Sequence, residues 1–155
     1  MGRFCSKFGL NFFLYVNSFE MPVKILMIEN DLDDRAVTEE SFIQAWPEVI
    51  IDFLFGTDVA HWLERAEYRP QLILLTMNAQ PYGAPELIRQ IRATGGFGSI
   101  PIIVLSESNQ PREVQGCYQA GASAFIKKPD NYGETLFKIR TFINYWLHTV
   151  ELPEF

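Results

Sequence analysis

Residues 72–78 read Leu-Ile-Leu-Leu-Thr-Met-Asn. Consecutive aliphatic side chains leave no polar face, which suits a parallel strand covered on both sides rather than a half-wet antiparallel one. Other runs share this character. Val23-Lys24-Ile25-Leu26-Met27-Ile28 lies upstream, Ile102-Ile103-Val104-Leu105 downstream, and Phe125-Ile126 follows Ala120-Gly121-Ala122. Strands are predicted at 23–29, 49–55, 71–76, 100–106 and 123–127.

Amphipathic stretches separate them. Asp33-Asp34 opens the first helix with carboxylates at the positive end of its dipole, and Thr57-Asp58 opens the second. The third starts near Pro85 and carries Leu87, Ile88 and Ile91 on one face. The fourth has Pro111 in its first turn and Gly121 as its C-terminal cap. Strands alternating with helices of this length imply right-handed crossovers and an open, doubly wound α/β sheet.

The 155 residues are one domain's worth, with 48% hydrophobic and 21% charged residues supporting a sizeable core. A net charge of −6 argues against a stand-alone nucleic-acid binder, which would show a basic face. No apolar run reaches the roughly 20 residues that span a bilayer. Cys5 and Cys117 make no metal-ligand pattern and read as free thiols in a reducing cytoplasm. Arg3, Lys7 and the apolar run 8–16 imitate a signal peptide, but Asn11 interrupts the run and Asn17-Ser18-Phe19-Glu20 is a poor cleavage site. Residues 1–20 read as an N-terminal extension, either non-native or packed on the domain. The domain itself covers 21–150, with 151–155 as a tail.

In such a sheet, ligands bind beyond the carboxyl ends of the strands. Glu29-Asn30-Asp31, Thr76, Ser106 and Lys128-Pro129 all stand at strand exits. This order of acidic cluster, acceptor, hydroxyl and Lys-Pro resembles the receiver domain of two-component response regulators, over residues 22–149. The resemblance implies a flavodoxin-like five-stranded parallel sheet of order 2-1-3-4-5. It implies that Glu29 and Asn30 hold the two acidic positions, Thr76 the phosphoacceptor position and Asn78 the carbonyl that helps hold magnesium. Ser106 then supplies the hydroxyl, Lys128 the phosphate-pairing cation, and Phe125 the aromatic whose rotation reports activation.

The departures are as informative as the matches. Threonine cannot form an acyl phosphate, and the sequence shows no neighbouring base to activate its hydroxyl. Asn30 removes a carboxylate that the family uses for metal. No cofactor is expected, and at most a weak magnesium ion at Glu29 and Asp31. Conventional aspartyl phosphorylation is not expected, and neither is catalysis.

Plainer readings hold elsewhere. Ser106 and Lys128 read as structural partners of Glu29 and Thr76. His61 and His148 read as exposed helical residues without metal partners. Thr94-Gly95-Gly96-Phe97-Gly98-Ser99 precedes a strand and so falls at the end of the sheet away from the site. In the last helix, Leu136, Ile139, Ile143, Trp146 and Val150 form one apolar stripe. Phe142 and Tyr145 fall off it and are expected on a docking surface, since large aromatics are enriched at interfaces. Receivers pair through their last helices and strand, so a homodimer is expected there.

The leading expectation is a stand-alone, cytoplasmic pseudo-receiver that binds a sensor kinase, another signalling protein or itself. One rival is an active phosphoacceptor using Asp31 or Thr76. Another is a flavodoxin-like small-molecule binder, disfavoured because no phosphate-cradling loop follows the first strand.

Overall fold

The computed structural model describes residues 22–65 and 68–154. The expected extension at 1–20, the alternative start at Met21, and Cys5 lie outside the described residues. The elements are β1 (Lys24–Ile28), α1 (Leu32–Ala45), β2 (Ile50–Leu54), a 3-10 turn (Gly56–Asp58), α2 (Val59–Arg65), β3 (Leu72–Thr76), α3 (Ala84–Ala93), β4 (Ile102–Ser106), α4 (Pro111–Ala120), β5 (Ala124–Lys127) and α5 (Tyr132–Trp146). The strands form one parallel sheet of order β2-β1-β3-β4-β5. This is the doubly wound, flavodoxin-like α/β fold expected from the sequence.

Strand side chains alternate between faces, so each apolar run feeds two cores. Ile25, Met27, Leu72, Leu74 and Ile103 pack with Phe42 of α1 and with Phe142 and Ile143 of α5. Leu26, Ile28, Ile73, Leu75 and Val104 pack with Leu87, Ile88 and Ile91 of α3 and Cys117 of α4. Each such aliphatic side chain stabilises the fold by roughly 1.5–3 kcal/mol when fully buried.

The helix ends follow local chemistry. Asp31 caps α1, its Oδ1 accepting from the N–H groups of Asp33 (2.8 Å) and Asp34 (3.0 Å). Gly121 ends α4 at φ 113°, where a Cβ would be strained, and the Ala122 N–H returns to the Cys117 carbonyl (3.0 Å).

Two expectations change. Phe142 is buried at 8% exposure, meeting Phe42 edge-on with ring centroids 6.0 Å apart. The apolar face of α5 is wider than the stripe, because α1 packs beside it as well as the sheet beneath it. Phe142 therefore belongs to the core, and of the expected docking pair only Tyr145 is exposed, at 54%. His148 lies in the turn after α5, where its ring stacks on Trp46 (4.4 Å, 17°). No helix among the described residues is long and apolar enough to cross a membrane.

Candidate functional site at the strand exits

All strands of a parallel sheet end at one edge, which gathers residues far apart in sequence. Glu29 follows β1, Thr76 ends β3, Ser106 ends β4 and Lys128 follows β5. Glu29, Thr76 and Ser106 are buried, and the Glu29 carboxylate needs partners to remain there. Its Oε1 accepts from the Asp31 N–H (3.0 Å), and its Oε2 accepts from the Thr76 hydroxyl. The Lys128 Nζ stands 3.5 Å from the same Oε2. The sequence showed no base beside Thr76; the fold supplies one, because β1 and β3 are neighbours and Glu29 reaches across.

Lys128 is held more tightly by a different carboxylate. Its Nζ lies 2.5 Å from Asp34 Oδ2 and 3.7 Å from Glu107 Oε1. Burial alone pushes the ammonium's pKa down. The Asp34 hydrogen bond and the charges of Glu29, Asp34 and Glu107 outweigh that and hold it above the ordinary lysine range.

The remaining expected residues separate into different tasks. Asn30 uses its Oδ1 to accept from the N–H groups of Gln80 (3.1 Å) and Gly56 (3.4 Å), tying together the loops after β1, β2 and β3. Gly56 is needed for that approach, since a Cβ there would sit 1.9 Å from the Gln80 carbonyl oxygen. Asp31 directs its carboxylate to the start of α1, so it does not take the place of Asn30. Asn78 is exposed in the turn after β3. The Ser106 Oγ accepts from the Ser108 N–H (3.2 Å) and shapes the following loop. Phe125 is half-buried on edge strand β5, and its N–H donates to the Tyr118 hydroxyl (3.2 Å).

Sequence reasoning missed Asp34 and Arg35 as members of the site. Asp34 was read only as a helix opener, although a carboxylate in the first turn of α1 lies near the β1 exit. Three nearby aspartates left the sequence unable to say which one faces Lys128. Arg35 donates to the Glu29 carbonyl through Nε (2.7 Å) and Nη2 (2.5 Å), with its guanidinium 4.0 Å from the Phe55 ring centroid. Among the described residues, no group of three or more His, Cys, Asp or Glu side chains is arranged as a metal site.

No family model matches the chain. The chain is 27% identical over 138 residues to Response regulator Rcp1 of Synechocystis sp., covering 85% of this chain and 94% of that protein. It is 30% identical over 128 residues to Response regulator MprA of Mycobacterium sp. strain KMS; that match takes in 79% of the chain but about half of the relative, 51%. Among solved structures, the phosphorylated cyanobacterial phytochrome response regulator RcpA superposes with a TM-score of 0.78, over 86% of this chain and 99% of that one, at 22% identity. This last likeness speaks for the fold alone. Sequence likeness across the whole α/β core, the strand order and the residues gathered at the strand exits together make the chain a response regulator receiver domain of the CheY-like kind.

Proposed function

We propose that this receiver works without aspartyl phosphate, as a pseudo-receiver of a two-component or phosphorelay system that acts by protein–protein contact. One observation carries the reading. Where the family places an acceptor carboxylate, Thr76 donates its hydroxyl to Glu29, and Lys128 is already engaged by Asp34 and Glu29. A hydroxyl in that position forms no acyl phosphate, and the lysine is not waiting for an anion.

The donor set does not suit magnesium either. That ion prefers carboxylates and waters in near-octahedral geometry. Both Glu29 oxygens already accept hydrogen bonds, Asn30 offers a neutral oxygen shared by two N–H groups, and Asp31 caps a helix. The chain then catalyses no reaction of its own, and we place it in the cytoplasm beside a sensor kinase or another signalling protein.

The surface favours contact through α5 and edge strand β5. Phe137 (70% exposed) and Tyr145 (54%) flank an apolar groove that also takes in Ile126, Thr141 and Trp146. Large exposed aromatics around such a groove suit a protein partner or a second copy of the chain.

A second reading has its own support. Glu29 beside the Thr76 hydroxyl has the form of a base beside a nucleophile, which would make Thr76 an unconventional acceptor. The carboxylates crowding Lys128 disfavour it, since they repel an incoming phosphoryl group. Amide NMR spectra with magnesium and beryllofluoride test the first reading. The chain should show no saturable shifts at Thr76, Ser106 or Lys128, whereas Thr76→Asp combined with Asn30→Asp should gain them. Saturable shifts in the unaltered chain would contradict the proposal.

A further inference from the structure

An outer strand of a sheet keeps a row of backbone groups that face away from the ladder, ready to pair with another chain. Strand β5 is such a strand, bonded only to β4. Backbone groups change sides at every residue along a strand. The Lys128 N–H donates to the Ser106 carbonyl (2.7 Å) on the β4 side, so the backbone groups of Phe125 and Lys127 face outward.

Two side chains reach those outward groups. The Phe125 N–H donates to the Tyr118 hydroxyl (3.2 Å), and the Lys138 Nζ donates to the Lys127 carbonyl (2.6 Å). They arrive from opposite faces of the sheet, Tyr118 from α4 on the α3 side and Lys138 from α5 on the α1 side. The strand is also only four residues long, and Lys127 adds a charge at its end, 3.7 Å from Asp130. Short length and lysines are ways in which proteins blunt a sheet edge. The setting calls for them, because the exposed rings of Phe137 and Tyr145 stand beside β5. Apolar surface next to unpaired backbone is a template for pairing between chains. An incoming strand would have to displace the hydroxyl from Phe125 and bury the Lys138 ammonium more deeply, which costs free energy.

We propose that Tyr118 and Lys138 are edge guards, which close β5 to strand addition so that the α5–β5 face meets other proteins through side chains and not through its backbone. The inference rests on β5 being an outer strand. It holds whichever partner uses the neighbouring groove, and whether or not the strand-exit site takes phosphate.

Hydrogen exchange and sedimentation velocity on the full chain test it, with Tyr118→Phe, Lys138→Met and the double variant. Tyr118→Phe removes the hydroxyl and keeps the ring, so exchange of the Phe125 amide should quicken roughly fivefold, as loss of one hydrogen bond gives. The double variant should self-associate as its concentration rises, with its Phe125 and Lys127 amides gaining protection in step. The unaltered chain should show no such gain, even where it associates through Phe137 and Tyr145. Tyr118 is an exposed ring, so the exchange measurement on Tyr118→Phe stands even where the double variant folds poorly. Unchanged Phe125 exchange in Tyr118→Phe would overturn the proposal. So would a double variant that associates no more than the unaltered chain, or that associates without protecting those amides. Protection of the same amides when the unaltered chain associates would show the edge to be open, and would overturn it as well.

Discussion

At the scale of single residues, the strand-exit site is a closed set of partnerships. Thr76→Ala leaves Glu29 Oε2 without its hydroxyl donor in a buried setting, at an expected cost of roughly 1–3 kcal/mol. Thermal melts check it, and Thr76→Ser should recover most of the loss. Lys128→Met should cost roughly 2–3 kcal/mol, less than a fully buried pair because Asp34 is partly exposed and solvent screens it. The pH dependence follows from the raised Lys128 pKa. A raised pKa means the folded state favours the charged lysine. Its stabilisation is complete below the ordinary lysine value of about 10.4 and is lost as pH rises through the higher folded value. The melting gap between wild type and Lys128→Met should therefore stay level from neutral pH to about 10 and close only beyond it. A gap that closes between pH 7 and 9 would place the stabilisation on another group. Glu29, Thr76, Ser106 and Lys128 were legible in the sequence because each ends an apolar run. Their pairing was not, because a strand order decides which exits touch, and helix rotation decides that Asp34 rather than Asp31 faces Lys128.

At the scale of elements, α5 separates what periodicity reveals from what packing decides. The stripe through Ile139, Ile143 and Trp146 marked the buried direction correctly but not its width. A helix packed against both a sheet and a neighbouring helix buries more than one stripe, and α1 closes over Phe142. Phe142→Ala should thus destabilise the fold by roughly 3–5 kcal/mol, as removal of a core ring does. Tyr145→Ala, at an exposed position, should stay within about 0.5 kcal/mol of wild type. Urea unfolding of the two variants decides between core and surface for each ring. The cap at Gly121 and the acidic first turn of α1 were readable in advance because they depend on neighbours within a few residues. The role of Asn30 was not, since it joins loops 26 and 50 residues away in sequence.

At the scale of the whole molecule, the proposal that this receiver works without aspartyl phosphate requires it to select partners through a surface that is always presented. The groove flanked by Phe137 and Tyr145 is the feature suited to that task. Phe137→Ala with Tyr145→Ala should reduce self-association or partner binding while leaving the melting temperature nearly unchanged, as sedimentation velocity and thermal melts together would show. Loss of folding in that double variant would assign the rings to the core instead. The central claim, that Thr76 sits at the family's acceptor position without accepting phosphate, is tested most directly by intact-mass spectrometry after incubation with acetyl phosphate and magnesium. The expected result is an unmodified chain under conditions in which Thr76→Asp with Asn30→Asp acquires a phosphoryl adduct. A phosphoryl adduct on the unaltered chain, mapped to Thr76 or to Asp31, would contradict it.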